Sequence, residues 1–296
     1  ALLHNSDQRA ESAAASLHAW IKDRKLDVKS WSHEEVYAKA TKDSIIGKAA
    51  RAAANKKLAR LKADYGYYED FLLASADGTV IASNREAAIG KINVKDRPYF
   101  QAALQGQLFT SDVAVSRASG HPVFFVAAPL TDNGHVSGVL AGVVSITSFS
   151  EQFIDPIKIG KSGYAYVVNK TGLIIAHNDK SKIMKESFGD QEWGKEMLAQ
   201  KNGHINYVYE GVKKTVAFNA VEGQEWIVAV TAPHAEILGP VRSLGRINLL
   251  VAVAVIAVAM ALIFIITGKV VNPVNRVVAG LKDAAEGEGD LTKRID

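Results

Sequence analysis

Residues 71–84, FLLASADGTVIASN, and residues 165–178, AYVVNKTGLIIAHN, carry one pattern written twice. An apolar stretch runs into a short turn ending in glycine, and a second apolar stretch leaves it. At an offset of 94 residues, Gly78 meets Gly172, Ile81 meets Ile175, Ala82 meets Ala176 and Asn84 meets Asn178. Asp77-Gly78 is a hairpin signal, because glycine supplies the positive φ that a tight turn between strands requires. The continuations are also alike. A helix is predicted over 96–104, with Pro98 in its first turn, followed by strands over 113–116, 122–130 and 138–146. The last two are joined by a turn from Thr131 to Gly134. After the second copy come a helix over 191–200 and strands over 204–210, 214–221 and 226–232. A unit that recurs with its turn and its following strands is a repeated module. Strands linked by short turns pair antiparallel, so the fold class is α+β, with two antiparallel-sheet modules in series.

Residues 1–64 hold no proline and are rich in Ala, Lys and Leu. Leu17, Trp20 and Ile21, and later Ile45, Ala49 and Ala52, recur at helical spacing, which predicts a long helical stalk lying over the sheets. Ser32 followed by Glu35 resembles a capping box and marks a candidate interruption. A helical stretch over 148–158, ending near Pro156, separates a first module at 65–150 from a second at 151–240.

A helix over 234–246 then leads into INLLVAVAVIAVAMALIFIITG, residues 247–268, which is uncharged and bracketed by Arg246 and Lys269. As a helix this run spans roughly 33 Å, the thickness of a bilayer's hydrocarbon core. Past it, Val270, Val274, Val277, Leu281 and Ala284 alternate at spacings of four and three, the seam of a coiled coil. Two glycines in the stretch 287–291 end that helix. Lys269, Arg276, Lys282, Lys293 and Arg294 follow the span, against Arg242 and Arg246 before it, which favours a cytoplasmic C-terminal side. A folded domain ahead of an uncleaved span carries the expectation of an earlier membrane helix upstream of Ala1 and an effector beyond Asp296.

Composition narrows the function. Of 296 residues, 48% are hydrophobic and 22% charged, the balance of a globular chain. There is no cysteine, which excludes disulfides, CxxC redox chemistry and thiolate metal sites. The net charge of +4 is spread along the chain, apart from a basic stretch at 48–62, so nucleic acid is not an expected partner. The eight histidines lack metal spacing, and no cofactor is expected. Gly160-Lys161-Ser162 resembles the end of a phosphate-binding loop, but Asp155 stands where the first glycine belongs. No nucleophile elbow or zinc-hydrolase motif is present, and no enzymatic activity is expected.

The tail from Asn272-Pro273-Val274 to Gly289-Asp290-Leu291 resembles the first helix and connector start of a HAMP domain, over residues 269–296. The domain before the span resembles a double Cache (dCache) sensor of bacterial methyl-accepting chemotaxis proteins, whose modules are PAS-like. That resemblance rests on Lys95-Asp96-Arg97-Pro98-Tyr99-Phe100, then Ser111-Asp112, Ser116-Arg117 and Gly120 to Val123. It implies a homodimer in the bacterial inner membrane. The sensor would be periplasmic, and the cytoplasmic chemotaxis proteins would be reached through sequence beyond Asp296, with a histidine kinase or diguanylate cyclase there as the alternative output. It also implies a ligand site in the membrane-distal module.

In amino-acid-binding members of this family an Arg grips the ligand carboxylate, and Arg97 matches it. Tyr99 and Phe100 stand for the Trp and Tyr that follow. The alternative for Arg97 is an ion pair with Asp96 or Asp112, and for Phe100 plain core packing. An acidic residue on the strand before the module boundary normally holds the ligand's ammonium, but here that strand reads Val143-Val144. The expected ligand is therefore a small organic acid, with an amino acid as the alternative. Ser116 and Arg117 are candidates for a second anionic contact. Asp112, Phe125 and Tyr68 complete the candidate site. Tyr164, Tyr166 and His177 occupy the analogous places in the second module, which is expected to be a structural relay.

Overall fold

The structure is a computed structural model and describes residues 2–286. The Gly-Asp-Leu connector at 289–291, Lys293 and Arg294 lie outside the described residues. Three helices open the chain: α1 (Leu2–Ser32), α2 (Glu35–Ala40) and α3 (Ile45–Asp64). The helical stalk is thus broken twice. At the first break the capping-box reading fails, because the Ser32 hydroxyl turns back to donate to the Lys29 carbonyl at 2.7 Å. Glu34 is the N-cap residue of α2, with no side-chain cap bond. At the second break Ser44 caps α3, its hydroxyl accepting from the Gly47 amide at 3.0 Å.

The first sheet is built from β1 (Tyr68–Ser75), β2 (Val80–Ser83), β3 (Phe109–Thr110), β4 (Ala114–Val115), β5 (Pro122–Asp132) and β6 (His135–Ser145), with α4 (Pro98–Leu104) between β2 and β3. Its order is β2-β1-β6-β5-β3, all antiparallel, and β4 also pairs with β5. A short helix α5 (Ile146–Phe149) and a wider turn at Ser150–Ile154 lead on. The second sheet holds β7 (Lys158–Ile159), β8 (Gly163–Asn169), β9 (Ile174–His177), β10 (Gly203–Tyr209), β11 (Val212–Ala220) and β12 (Trp226–Pro233), with α6 (Glu192–Gln200) before β10. Its order is β10-β11-β12-β8-β7, with β9 also on β8.

The run β2-β1-β6-β5 has its counterpart in β9-β8-β12-β11, so the repeated sequence is a repeated topology. The shared glycines do the same work in both copies. Gly78 and Gly172 sit at φ +88° and +79°. A Cβ on Gly78 would lie 2.6 Å from the Lys95 amide nitrogen, and one on Gly172 would strike the backbone of Gly189. Each hairpin turn is crossed closely by the loop that returns over it, through the bridges Thr79–Asn93 and Leu173–Ser187.

One face of both sheets packs on the opening helices in a continuous core. Ala14, Leu17, Ile21, Leu58 and Leu61 meet Phe71, Phe124 and Val126 of the first sheet and Ala217, Val228 and Val230 of the second. On the opposite faces, α4 covers the first sheet through Tyr99, Phe100 and Ala103, and α6 covers the second through Met197.

The chain divides into two compact units, Ala1–Ile237 and Leu238–Asp296. Helix α7 (His234–Ile266) begins at the end of β12, and a wider turn at Thr267–Val271 precedes α8 (Asn272–Ala285), which has Pro273 in its first turn. Among the described residues, Leu250–Lys282 is the one helical stretch long and apolar enough to cross a membrane. Its side chains from Leu250 to Ile266 are exposed, the condition of a helix whose solvent is lipid.

Candidate ligand-binding site

A turn from Val94 to Arg97 brings the chain to α4, with Arg97 as N-cap residue in extended backbone and Pro98 at the first helical position. The fixed φ of proline suits that position, and extended geometry is what a residue before proline prefers. Arg97 therefore projects from a rigid corner, half-buried. Its guanidinium makes one long hydrogen bond, from Nη2 to the Val115 carbonyl at 3.5 Å. It forms no ion pair among the described residues. The two acids weighed as its partners are engaged elsewhere. Asp96 takes a bidentate pair from Arg117, at 2.9 Å and 2.5 Å. Asp112 accepts from the Trp226 indole and from the Asn169 amide, each at 2.9 Å.

Arg97 lines two cavities. The smaller, about 30 Å³, lies between α4 and the sheet and is walled by Leu72, Val80, Ile92, Phe125 and Val143, with Ser83, Ser116, Asp70, Arg85 and Arg117 at its polar margin. That volume suits roughly one or two water molecules. The larger, about 580 Å³, opens where the two sheets meet, between the segment Phe109–Ala114 and the loop Gly223–Trp226, with Lys170 beside it. Tyr99 and Phe125 line both cavities and stack with centroids 4.1 Å apart and ring planes at 13°. Burial pushes the Tyr99 phenol above its ordinary range.

The eight residues picked from the sequence are thus separated. Arg97, Tyr99, Phe125, Ser116 and Arg117 share the smaller cavity. Asp112 borders only the larger one. Phe100 is buried in the core beneath α4 and reaches neither. Arg117 is not a free second cation, because Asp96 neutralises it; the same pair holds the Asp96 carboxyl below the usual range. Tyr68 lies on the opposite face of the sheet, against Trp31 and Phe71. The register of β1 against β6 slips between Tyr68 and Asp70, which turns Tyr68 towards the helices and Asp70 towards the cavity.

Asp70 and Arg85 were not singled out from the sequence. Asp70 is 4% exposed and accepts from Asn84 Nδ2 at 2.9 Å and Arg85 Nε at 2.7 Å. Its Cα partner on β6 is Val143, the place where the family's ammonium-binding acid was sought. The available signal was the acid pair Glu69-Asp70 at the head of an otherwise apolar strand, matched by an Asn-Arg pair just past the next strand. Of the charged groups at the smaller cavity, Arg117 is offset by Asp96 and Arg85 by Asp70. Arg97 is left as the unneutralised charge in largely apolar surroundings.

In the second module the corresponding face is filled. Tyr166, Tyr207, Phe188 and Met197 pack there, and His177 lies edge-on to Tyr164 at 5.0 Å. Burial lowers the His177 pKa and raises that of Tyr166. No group of His, Asp and Glu suited to a metal occurs among the described residues.

A helix-covered pair of antiparallel sheets in series, with an arginine-bearing cavity on the first, is the architecture of a double Cache domain. The chain belongs to the Cache domain family, whose dCache_1 profile matches residues 2–241. It is 29% identical over 222 residues to the methyl-accepting chemotaxis protein McpB of Bacillus subtilis, covering 74% of this chain and 32% of that protein. Among solved structures it resembles the ligand-binding domain of the Pseudomonas aeruginosa amino acid chemoreceptor PctB in complex with L-Arg. There the TM-score is 0.63 at 20% identity, over 82% of this chain and 92% of that one. The extracellular domain of the putative histidine kinase rpHK1S-Z16 gives 0.64 at 18% identity, over 79% and 95%. The chain spans about a third of the length of the curated relatives it matches.

Proposed function

We propose that this chain is the sensing and membrane-crossing part of a methyl-accepting chemoreceptor that binds a small molecule bearing one carboxylate, gripped by Arg97 in the first module. The supporting observation is the charge state of the smaller cavity: every other charged side chain at its margin is offset, and Arg97 is not. Apolar walls at Val80, Ile92, Phe125 and Val143 suit an uncharged body behind the carboxylate. In this reading residues 65–150 are the membrane-distal ligand module and 151–240 the proximal relay. Residues 247–268 cross the inner membrane, and 269–296 begin a HAMP domain. The receptor acts as a homodimer with its sensor in the periplasm. Output passes to cytoplasmic chemotaxis proteins through sequence outside this chain.

A second reading, an α-amino acid ligand, draws on PctB having been solved with L-Arg and on Asp70 in the cavity wall. The two separate by calorimetry on the full chain in nanodiscs, titrated with hexanoate, succinate and L-leucine. Tightest binding by hexanoate supports the first. Tightest binding by L-leucine, weakened further in Asp70→Asn, replaces it with the second. A putative histidine kinase sensor shares the fold; sequencing beyond Asp296 separates the outputs, a methylation-region coiled coil there supporting the chemoreceptor and a His-kinase or GGDEF motif replacing it.

A further inference from the structure

We infer that the segment 109–117 is a strap between the Arg97 cavity and the second sheet, and that Asp112 is a positioning residue that latches it. Occupying the cavity competes with the latch. This rests on the reading of Arg97 as the carboxylate grip.

The cavity end of the strap is Val115, Ser116 and Arg117. The Val115 carbonyl accepts the hydrogen bond of the Arg97 guanidinium, Ser116 lines the cavity, and Arg117 clamps Asp96 immediately before Arg97. The other end is Asp112. Its Oδ1 accepts from the Trp226 indole N–H at 2.9 Å and from the Val113 amide at 2.8 Å, and its Oδ2 accepts from Asn169 Nδ2 at 2.9 Å. Both far partners belong to the second sheet, where they are cross-strand neighbours. Asn169 is itself fixed, because its Oδ1 accepts from Thr171 N, Thr171 Oγ and Leu173 N. Trp226 is 2% exposed and meets Phe124 of the first sheet edge-on at 5.3 Å. It opens β12, the strand that runs directly into α7. The latch therefore holds the strand that feeds the membrane helix.

The direction of coupling follows from volume. A cavity of about 30 Å³ does not admit a carboxylate with a carbon chain unless a wall moves. Leu72, Phe125 and Val143 are fixed in long antiparallel ladders. The strap is held to the sheet by short pairings, Phe109–Ala127 and Thr110–Val126 in β3, and Ala114–Val123 and Val115–Pro122 in β4. Ser111 adds a bond in each direction to the Phe125 backbone, at 2.9 Å each, so among the strands that wall the cavity the strap has the shortest ladders. Displacing it outward draws Asp112 from Trp226 and Asn169. A ligand that must break the latch binds more tightly once the latch is gone.

The test uses the full chain in nanodiscs, labelled with 5-fluorotryptophan, with the Trp226 resonance assigned through Trp226→Phe. Hexanoate is expected to bind Asp112→Ala on the order of tenfold more tightly than the parent, and Asp112→Asn, which keeps one acceptor, by less. Hexanoate should also move the parent Trp226 resonance towards its position in ligand-free Asp112→Ala. A merely structural Asp112 would lower the unfolding temperature without tightening binding, and that result overturns the latch. An arm without ligand is Ser116→Leu, which fills the cavity from the strap. If the Trp226 resonance stays in place in that variant while its circular dichroism is native, the latch is refuted. If hexanoate fails to bind the parent but Ser116→Leu moves Trp226, the ligand reading falls and the latch stands.

Discussion

Arg97 shows how far a residue can be read before its surroundings are known. Its place before Pro98 fixed the backbone, and the resemblance supplied a role. What the sequence left open was whether a nearby acid already held it, since Asp96 and Asp112 are both within reach along the chain. Asp96 goes to Arg117 and Asp112 to the second sheet. Those choices depend on strands brought together from distant sequence, so no spacing rule reaches them. Tyr68 fails for a related reason: alternation assigns faces only while register is regular, and β1 slips between Tyr68 and Asp70. The test of Arg97 follows from its lack of partners. Charge-assisted hydrogen bonds contribute about 1.5–3 kcal/mol, so Arg97→Ala should weaken carboxylate binding roughly ten- to a hundredfold in calorimetry. Because the side chain closes no ion pair, the ligand-free unfolding temperature should stay nearly constant. Arg97→Lys should recover only part of the affinity, since an ammonium lacks the planar fork. A large drop in ligand-free stability with unchanged affinity would make Arg97 a structural residue.

At the scale of elements, the strands and the α4 and α6 helices were legible because turns, period and Pro98 all agreed. The two-residue strands β3, β4 and β7 offered less: β3 and β7 were not expected at all, and β4 was expected over a longer stretch. Such short edges form because a neighbour offers free backbone groups, which leaves no mark on their own sequence. The break before α3 did carry a mark, Ser44 ahead of an apolar pair, but helical composition on both sides concealed it. The repeated glycines give a direct test. Gly172→Ala adds a Cβ at φ +79° against the backbone of Gly189, so a loss of at least about 1–3 kcal/mol is expected. It should be read as a lower denaturation midpoint, and Gly78→Ala should behave likewise. A second test lies at the start of α7. The Glu236 carboxylate accepts from Ser162 Oγ at 2.7 Å and from the Lys161 amide at 2.6 Å across the Gly160 turn. These bonds hold its pKa below the ordinary glutamate value. The folded value is the depressed one, so the stabilisation is present above the unfolded pKa and is lost as pH falls through the folded one. Protection of the Lys161 and Ser162 amides from exchange should decline in that acid range, and Glu236→Gln should lower it above that range while leaving it nearly unchanged below. Protection indifferent to pH would dismiss the clamp.

At the scale of the whole molecule, two parts answer to two solvents. Up to Ile237 the chain hides its apolar residues between sheets and helices; from Leu250 to Ile266 it displays them. The second pattern suits surroundings as apolar as the side chains, which is what makes the run a candidate membrane span. Central Leu, Ile, Val and Phe each favour insertion by about 0.3–0.6 kcal/mol, while a central Arg opposes it by about 2.5–3.5. Two arginines therefore come close to offsetting the whole run. Val255→Arg with Val258→Arg, both at positions exposed on the helix, should shift the protein from the membrane fraction to the carbonate-soluble fraction. The unfolding of the unit Ala1–Ile237 should be unchanged, because that compact unit is separate from Leu238–Asp296. If the parent is already carbonate-soluble and the double variant instead lowers the unfolding temperature of the sheets, the run is a packed core helix. The transmembrane reading, and with it the transmission of ligand binding across a bilayer, would then be wrong.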